Sequence, residues 1–223
     1  MTKTRNNRPK KRLYEIYNLL YKMYGPRNWW PADSDFEVAV GAILTQNTNW
    51  QNVERAILNL KAKKLLSPLK LHKLNIKRLA RLIRSCGYYN IKAKRLKSFL
   101  DFLVSGYGGK IENMRTMPLP ALREELLDVN GIGPETADSI LLYAIKKPIF
   151  VVDAYTKRIL TCLRLSTLDS DYSEVQKLFM DNLPRRVKLY NEFHALIVEH
   201  GKSFCKKNPK CDICALRPIK GAR

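Results

Sequence analysis

Apolar residues recur every three or four positions along much of the chain, which is the spacing of one face of an α-helix. The pattern is clearest in four segments, each of which predicts an amphipathic helix: Leu13-Ile16-Leu20-Met23, Val53-Ala56-Ile57-Leu60, Ala137-Ile140-Leu141-Ala144-Ile145 and Phe193-Leu196-Ile197-His200. No segment shows the sustained alternation expected of a half-buried strand. The apolar run at 149–152 is short and isolated, so we interpret it as a connecting segment. The sequence therefore predicts an all-α protein.

Proline and capping residues mark several helix starts. Pro68 follows a serine and Pro134 follows a glycine, and proline is favoured at the first helical position because the N–H that it lacks has no helical partner there. The residues Ser-Glu-Val-Gln at 173–176 match a capping box, which predicts a helix beginning at Ser173. The length of 223 residues suits one large domain or two small ones.

The chain carries a large excess of positive charge. It has 41 Lys and Arg against 20 Asp and Glu, a formal net charge of +21. Such an excess repels itself in a compact fold unless a polyanion is the partner. No apolar run reaches the ~20 residues that a membrane span requires. We therefore expect nucleic acid, and no membrane, as the partner.

The N-terminal segment 1–12 holds six basic residues and no acidic one. It lacks the apolar stretch of a secretory signal and the apolar face of a mitochondrial transit peptide. We predict a flexible basic arm. Whether it contacts nucleic acid or is only a solvated tail stays open at this point.

The chain has five cysteines, an odd number that argues for a reducing compartment and against a disulfide framework. Three of them crowd into one C-terminal segment, at Cys205, Cys211 and Cys214. That clustering is typical of metal or iron–sulfur ligands. We expect the other two, Cys86 and Cys162, to be core residues that behave as small hydrophobes.

A Gly-Ile-Gly turn at 131–133 separates the ends of two predicted helices. Gly131 and Gly133 allow positive φ and a close backbone approach. The N–H groups at the start of the next helix then face an anion, which the helix dipole favours, and a DNA phosphate fits that geometry. A tight turn with no ligand is the alternative. Asp153 follows the apolar run and precedes a helix, so we expect it to be partly buried or a helix N-cap.

A hairpin, a helix and then an aspartate about twenty residues on resemble the helix-hairpin-helix DNA glycosylases of the endonuclease III superfamily. The segment 41–49 is similar to the early helix and loop of that family, whose glutamine fills the gap left by an extruded nucleotide, and Gln46 occupies that position. The segment 86–93 resembles the family's Gly-x-Tyr-x-x-Lys-Ala motif. His200-Gly201 and the cysteine cluster match its C-terminal loop, so the resemblance covers roughly residues 13–215.

The resemblance implies a two-lobed, all-α glycosylase that binds double-stranded DNA containing a damaged base and flips that base out. It implies a central helical barrel at 37–147 and a second lobe made of 13–36 and 148–223, with DNA in the cleft between them. It implies Asp153 as the carboxylate that stabilises the cationic sugar or activates water. The DNA-binding residues that it implies are Gln46, Asn49, Lys92, Gly131, Gly133 and Thr136. Because no targeting signal is evident, we expect a cytoplasmic, nucleoid-associated enzyme. We also expect it to be a monomer.

Glu135 departs from the bifunctional members of the family, which carry a lysine at this position. That amine forms a Schiff base with the sugar and drives strand scission, and a carboxylate cannot do so. We therefore expect a monofunctional glycosylase with at most weak lyase activity from another amine, such as Lys146 or Lys147. The alternatives are a bifunctional glycosylase/lyase acting on oxidised pyrimidines and a non-catalytic DNA-binding protein. The second gives no reason for a carboxylate at Asp153 on a DNA-binding face.

The cysteine loop departs from the family as well. The family has four cysteines spaced six, two and five residues apart, whereas this chain has spacings of five and two, and the fourth position falls at about Lys220. A 4Fe–4S cluster needs four ligands. Three alternatives stay open: a cluster with a non-cysteine fourth ligand, a zinc site completed by His200, or a loop without metal. Nothing in the sequence favours Cys162 as the missing ligand.

All three tryptophans fall near the expected base pocket, in Trp29-Trp30-Pro31 and at Trp50. Alkylated purines are cationic, and electron-rich rings bind cations with ~1–2 kcal/mol or more in a dry site. The arrangement resembles the 3-methyladenine glycosylase class, which has glutamate at the Glu135 position and lacks the cluster. The alternative for the tryptophans is that their rings only pack in the core. The alternative substrates are oxidised pyrimidines and mispaired or deaminated bases.

Overall fold

The computed structural model describes residues 8–167, 169–206 and 208–219, and within them we find helices, turns and loops but no strand. The all-α prediction is therefore confirmed, and the run at 149–152 is a connecting segment as expected. The α-helices are α1 (Arg8–Tyr24), α2 (Asp35–Leu44), α3 (Trp50–Ala62), α4 (Pro68–Lys73), α5 (Ile76–Leu82), α6 (Tyr89–Tyr107), α7 (Leu119–Asp128), α8 (Pro134–Ser139), α9 (Ala154–Cys162), α10 (Tyr172–Asn182) and α11 (Val187–Phe204). Short 3₁₀ turns lie at Arg84–Cys86, Ile111–Thr116 and Cys211–Ile213, and a π-helix at Ile140–Ala144.

The chain divides into two compact units. The hairpin unit is Trp30–Lys147, and the terminal unit combines the described parts of Met1–Trp29 and Pro148–Arg223. We expected the boundary after residue 36, but residues 30–36 belong to the hairpin unit. The reason is that Trp30 packs against α2, where a Cβ added to Gly41 would lie 3.2 Å from the Trp30 ring. Ser34 in turn caps α2 by accepting a hydrogen bond from the Glu37 N–H.

The core of the hairpin unit is built around α2. Every residue from Phe36 to Leu44 is buried, although the helix is only ten residues long. A helix that is apolar on all sides must be enclosed by its neighbours. The loop that follows α2, residues 45–49, therefore begins from a rigid support. This loop contains Gln46.

The core of the terminal unit is aromatic. The rings of Phe150 and Phe179 stack with centroids 3.7 Å apart and an interplanar angle of 7°. Phe193 of α11 meets both rings edge-on, at 6.0 and 5.4 Å. The connecting segment 149–152 is thus buried inside this unit, and Asp153 comes directly after it.

Two local predictions are wrong. Helix α1 begins at Arg8, so residues 8–12 are not a flexible arm; the side chain of Arg12 donates to the Leu163 carbonyl at 2.6 Å, which anchors that turn. Residues 1–7 lie outside the described residues. The capping box of α10 is formed by Asp171 and Glu174 rather than by Ser173. A carboxylate two residues earlier accepts the Glu174 N–H at 2.7 Å, and the hydroxyl of Ser173 donates to the same carboxylate.

Other local predictions are confirmed. Helices α4 and α8 begin with Pro68 and Pro134. The four periodic segments lie in helices, except that α8 gives way at Ile140 to a π-helical turn. Within the described residues, no helix is long and apolar enough to cross a membrane.

Candidate active site

Gln46 connects the loop after α2 to the hairpin before α8. Its side-chain Nε2 donates to the Gly131 carbonyl at 3.0 Å and to the Thr136 hydroxyl at 2.9 Å. Thr136 is buried. Gln46 therefore meets Gly131 and Thr136, which lie 85 and 90 positions further along the chain, in one hydrogen-bonded cluster, and the sequence singled out all three.

Arg95 of α6 completes this cluster, and sequence reasoning missed it. Its guanidinium donates to Gln46 Oε1, and its aliphatic stem lies against Gly131. A Cβ at Gly131 would lie 2.2 Å from Arg95 Cγ, and the φ of +85° at Gly131 is itself in the region that favours glycine. The available signal was position, since Arg95 is three residues after Lys92 on the same face of α6.

The first turn of α8 is open to an anion. Gly133 is the N-cap and supplies no side-chain acceptor to the N–H groups behind it. The expected positive φ is wrong for Gly133, whose φ is −94°. A Cβ added there would meet nothing within 4 Å, so the space beside this turn is open. Glu135 is exposed on this turn. The turn is anchored from below by Asp138, which is fully buried and accepts two hydrogen bonds from Arg123, at 2.7 and 3.2 Å.

Lys92 does not occupy the surface position expected of a DNA contact. Only 2% of it is exposed, and its ammonium donates to the carbonyls of Leu44, at 2.9 Å, and Cys86, at 2.6 Å. Burial lowers its pKa below the ordinary lysine value. Because Leu44 is the last residue of α2, Lys92 fixes the origin of the loop that carries Gln46.

Asn49 closes the same loop. It is exposed and is the N-cap of α3, where its side chain accepts the Asn52 N–H at 3.0 Å. Asn47, between the two ends, has a φ of +53°. The loop is thus held at both ends with its middle at the surface, and a DNA contact by Asn49 stays a prediction.

Two of the three tryptophans pack together in the hairpin unit. The rings of Trp30 and Trp50 meet edge-to-face with centroids 5.2 Å apart, and Tyr143 lies 5.4 Å from Trp30. Tyr143 belongs to the π-helical turn, and sequence reasoning missed it. The apolar pattern of that segment predicts that Tyr143 is buried but not that it packs against Trp30. The exposed Pro31 follows directly.

Trp29 belongs to the terminal unit. The ammonium of Lys202 lies 5.1 Å from its ring centroid, which is within cation–π range.

Asp153 is the N-cap of α9, as expected. Its Oδ1 accepts hydrogen bonds from the Thr156 N–H at 2.7 Å and the Thr156 hydroxyl at 2.8 Å. Its side chain is 14% exposed. Among the described residues, Oδ2 takes no hydrogen bond. One oxygen of the carboxylate is therefore held in place while the other is available to a ligand.

Two side chains of α10 hold the segment that presents Asp153. The hydroxyl of Tyr172 accepts the Val152 N–H at 3.3 Å, and the amide of Gln176 donates to the Phe150 carbonyl at 2.6 Å. Both contacts satisfy backbone groups of a buried segment that has no helical partner.

His194 of α11 stands behind Asp153 and was also missed from sequence. Its Nε2 lies 3.9 Å from Asp153 Oδ1. Burial lowers the pKa of His194, with a smaller contribution from Lys202, while the charge of Asp153 acts in the opposite direction. Its only sequence signal was an imidazole on the buried face of an amphipathic helix, which is ordinarily a packing residue.

The terminal unit gathers four of the five cysteines around one recess. Cys162, Cys205, Cys211 and Cys214 line it together with His200. Burial, and then the neighbouring Cys214 and Cys162, raise the pKa of Cys205 to about 11. Cys86 is a core residue as expected, fully buried in the hairpin unit. The same expectation for Cys162 is wrong, because it is half-buried and faces the other thiols.

Comparison with known proteins identifies the family of the chain. Residues 40–185 match the HhH-GPD superfamily of base excision DNA repair proteins. The chain belongs to this superfamily. Its fold and its class, DNA N-glycosylase, follow from that membership, and the matched range contains both the hairpin and Asp153.

Individual relatives of this HhH-GPD protein agree with that family assignment. It is 50% identical to MJ1434 of Methanocaldococcus jannaschii, a DNA repair glycosylase by name, over 92% of this chain and 94% of the other. It is 32% identical to endonuclease III of Thermotoga maritima, over 86% and 84%. Among solved structures, it is similar to the H. pylori 3-methyladenine DNA glycosylase bound to 1,N6-ethenoadenine, with a TM-score of 0.75 and 31% identity over 87% and 97%. A non-covalent endonuclease III–DNA complex, at 23% identity and a TM-score of 0.80 over 95% of each chain, shares the fold.

Proposed function

We propose that this DNA glycosylase is monofunctional and removes alkylated purines from double-stranded DNA. The observation that carries the proposal is Glu135. It is exposed on the first turn of α8, at the position where bifunctional members of the family, by resemblance, carry lysine. Strand scission by β-elimination requires an amine that forms an imine with the sugar, which a carboxylate cannot do.

The nearest lysines along the chain are already engaged. The ammonium of Lys146 donates to the Tyr143 carbonyl and lies 3.7 Å from Asp35 Oδ1. That of Lys147 donates to the Arg115 carbonyl at 2.8 Å. An amine that serves as a nucleophile must be unprotonated and free to reach the sugar. We therefore expect lyase activity to be weak at most.

Asp153 is the group that we assign to the chemistry. Cleavage of a glycosidic bond passes through an oxocarbenium-like sugar. A nearby carboxylate either stabilises the positive charge of that sugar or activates the water that attacks it. The bonds from Thr156 hold Oδ1, and Oδ2 is left for the sugar or the water. The base must first leave the duplex, because the bond is out of reach inside the stack.

The hairpin supplies the phosphate contact in this proposal. The N–H groups of the first turn of α8 have no side-chain cap, and Gly133 keeps the approach open. Backbone donors at a helix start, together with the helix dipole, favour an anion there. The cluster of Gln46, Thr136 and Arg95 holds the hairpin against the loop after α2.

The aromatic pair Trp30 and Trp50, with Tyr143, is our candidate for the base pocket. N-alkylated purines carry positive charge, and stacking on electron-rich rings selects for that charge. Trp29 is the weaker candidate because Lys202 already occupies one face of its ring. The similarity to the H. pylori 3-methyladenine glycosylase supports the same substrate class.

A base-release assay tests this proposal. The protein is incubated with methylated DNA and, separately, with a thymine-glycol duplex, and the products are separated with and without alkali. We expect free alkylpurine from the first substrate and strand breaks only after alkali. Breaks without alkali, with an enzyme–DNA adduct trapped by borohydride, would contradict the monofunctional assignment.

Glu135→Lys is the sharpest variant for that assay, with Glu135→Gln as the matched control. The lysine variant should gain borohydride trapping and the glutamine variant should not, because only the first provides an amine.

The second candidate is a bifunctional glycosylase/lyase acting on oxidised pyrimidines, which the 32% identity to endonuclease III of Thermotoga maritima favours. The thymine-glycol arm of the assay decides between the two. A non-catalytic DNA-binding protein is a third candidate and would release no base from either substrate. A carboxylate at Asp153 argues against it, since negative charge weakens phosphate binding and is useful there chiefly for catalysis.

A further inference from the structure

We propose that Cys162 is the fourth thiolate ligand of an iron–sulfur cluster whose other ligands are Cys205, Cys211 and Cys214. The family loop would place a fourth cysteine at about position 220, where this chain has lysine. The structure instead brings a thiol from α9, more than forty residues before the loop, to the same recess.

Close packing of α9 against α11 brings Cys162 to this place. A Cβ added to Gly201 of α11 would lie 2.3 Å from the ring of Tyr155, so the two helices approach as closely as glycine allows. Cys162 is seven residues after Tyr155, two helical turns along the same face of α9. That face therefore runs beside α11 toward the end of that helix, where Cys205 follows it.

A second contact fixes the start of the cysteine loop to α9. The guanidinium of Arg158 donates to the Cys205 carbonyl at 2.6 Å. Arg158 lies one turn before Cys162, so the backbone at Cys205 is tied to the helix that carries the fourth thiol.

The surroundings of the recess suit a cluster. Ile159, Leu163 and Leu216 line it with apolar surface, which limits access of water to the sulfurs. His200, which also lines the recess, is fully buried, with its Nδ1 3.0 Å from the Tyr24 hydroxyl and its Nε2 3.2 Å from Cys214 Sγ. In the tautomer in which Nδ1 accepts from the hydroxyl, the N–H is on Nε2, within hydrogen-bond distance of the sulfur. Hydrogen bonds of this kind orient metal ligands.

The donor set fits a cluster better than a single ion. One zinc ion requires four ligand atoms about 2.0–2.3 Å from a common point. Within the described parts of the chain, no three His, Cys, Asp or Glu side chains come close enough to share one ion. In an iron–sulfur cluster each thiolate binds a different iron, so the four sulfurs stand farther apart. When bound, such a cluster would cross-link α9 to the C-terminal loop.

Metal and sulfide content test the proposal. The full chain is purified without oxygen and reconstituted with iron and sulfide, after which iron, zinc and acid-labile sulfide are measured per chain, with the visible absorption spectrum. We expect about four iron and four sulfide in the wild type. No iron and sulfide after reconstitution, or one zinc without sulfide, would overturn the proposal.

The variant Cys162→Ser tests whether Cys162 is the fourth ligand. The control is Cys86→Ala, because Cys86 is buried in the other unit. We expect Cys162→Ser to lose the cluster or to retain only a three-iron form, recognised by electron paramagnetic resonance. Cys86→Ala should keep the wild-type content. Full cluster content in Cys162→Ser would overturn the role of Cys162.

Alkylation of the wild-type protein tests the same assignment without a substitution, so a folding defect of a variant cannot affect the result. Before and after removal of iron with a chelator under air, thiols are labelled with iodoacetamide and mapped by mass spectrometry. Cys162 should gain label together with Cys205, Cys211 and Cys214. If Cys162 is labelled to the same extent in the loaded and stripped protein, it is not a ligand. Neither readout depends on which base the enzyme excises.

Discussion

The side-chain amide of Gln46 donates to the hydroxyl of Thr136 across 2.9 Å, which connects the loop after α2 to the first turn of α8. The same amide also donates to Gly131, and its oxygen accepts from Arg95. Both polar atoms of the Gln46 side chain therefore have partners in the protein without DNA. If Gln46 fills the gap left by the flipped nucleotide, as the family resemblance implies, it must exchange these bonds when DNA binds.

Replacing Thr136 with valine tests what this cluster contributes. The change removes the hydroxyl and nearly preserves the volume, so Nε2 of Gln46 loses one acceptor. We expect the free energy of unfolding to fall by about 1 kcal/mol, measured by urea titration. Thr116→Val is the control, because Thr116 is exposed and bonds only within its own turn. Equal losses in the two variants would contradict a specific role for the cluster.

The two hairpin glycines should respond differently to alanine. Gly131→Ala places a Cβ at positive φ and 2.2 Å from Arg95, so we expect it to lower the free energy of unfolding by at least about 2 kcal/mol. Gly133→Ala meets open space at a φ of −94° and should change stability by under about 0.5 kcal/mol.

The same pair separates stability from DNA binding. The Cβ of Gly133→Ala would stand between a phosphate and the uncapped N–H groups of α8, so we expect the dissociation constant for duplex DNA to rise about fivefold, or ~1 kcal/mol. Fluorescence anisotropy at fixed salt measures it. Unchanged affinity would mean that the turn contacts no phosphate.

The parts of the site that sequence could predict are local. Pro134 marks the start of α8, and Asp153 caps α9 through Thr156, three residues on. The position of each follows from its immediate neighbours. The family resemblance then placed Gln46 and Glu135 in the same way, by motifs only a few residues long.

The parts that sequence could not predict depend on partners far along the chain. From sequence, Lys92 is indistinguishable from a surface lysine. In the structure its ammonium is buried and donates to the Leu44 carbonyl, 48 residues away. Arg12 lies in a segment whose basic composition predicts a flexible arm. Its guanidinium nevertheless donates to the Leu163 carbonyl, 151 residues away, which anchors that segment. Cys162 gives no sign in its own segment of the thiols around it. Such pairings arise from tertiary packing, which periodicity and spacing do not encode.

Asp153→Asn tests the catalytic assignment without removing a helix cap. Asparagine caps a helix about as well as aspartate, so stability should persist. DNA affinity should not fall, because the change removes a negative charge. Base release should fall by at least about 100-fold, because the negative charge is lost. The control is Asp171→Asn, which makes the same exchange at the N-cap of α10. If both variants release base at the wild-type rate, Asp153 is not the catalytic carboxylate.

His194 provides a pH-dependent test of the environment behind Asp153. Burial holds the pKa of His194 below its ordinary value of 6.5, against the attraction of Asp153 and with the repulsion of Lys202. Well above pH 6.5 the imidazole is neutral in the folded and unfolded chain and adds no pH dependence. Below it the unfolded chain binds a proton that the folded one excludes, so stability falls by up to about 1.4 kcal/mol per pH unit from this residue.

His194→Gln should remove that part of the slope. Glutamine keeps a polar group near Asp153 but does not titrate, so urea titrations at pH 7.5, 6.5 and 5.5 should show a shallower loss of stability than in the wild type. The difference should be small between pH 7.5 and 6.5, where at most half of the unfolded chains carry the proton, and larger between pH 6.5 and 5.5. A wild-type slope in the variant would mean that the pKa of His194 is the same in the folded and the unfolded chain. A steeper loss of stability in the variant would mean that Asp153 raises the pKa of His194 and holds the imidazole protonated. Asp153 would then lie next to a positive charge, and base release should depend on that charge rather than on a neutral imidazole.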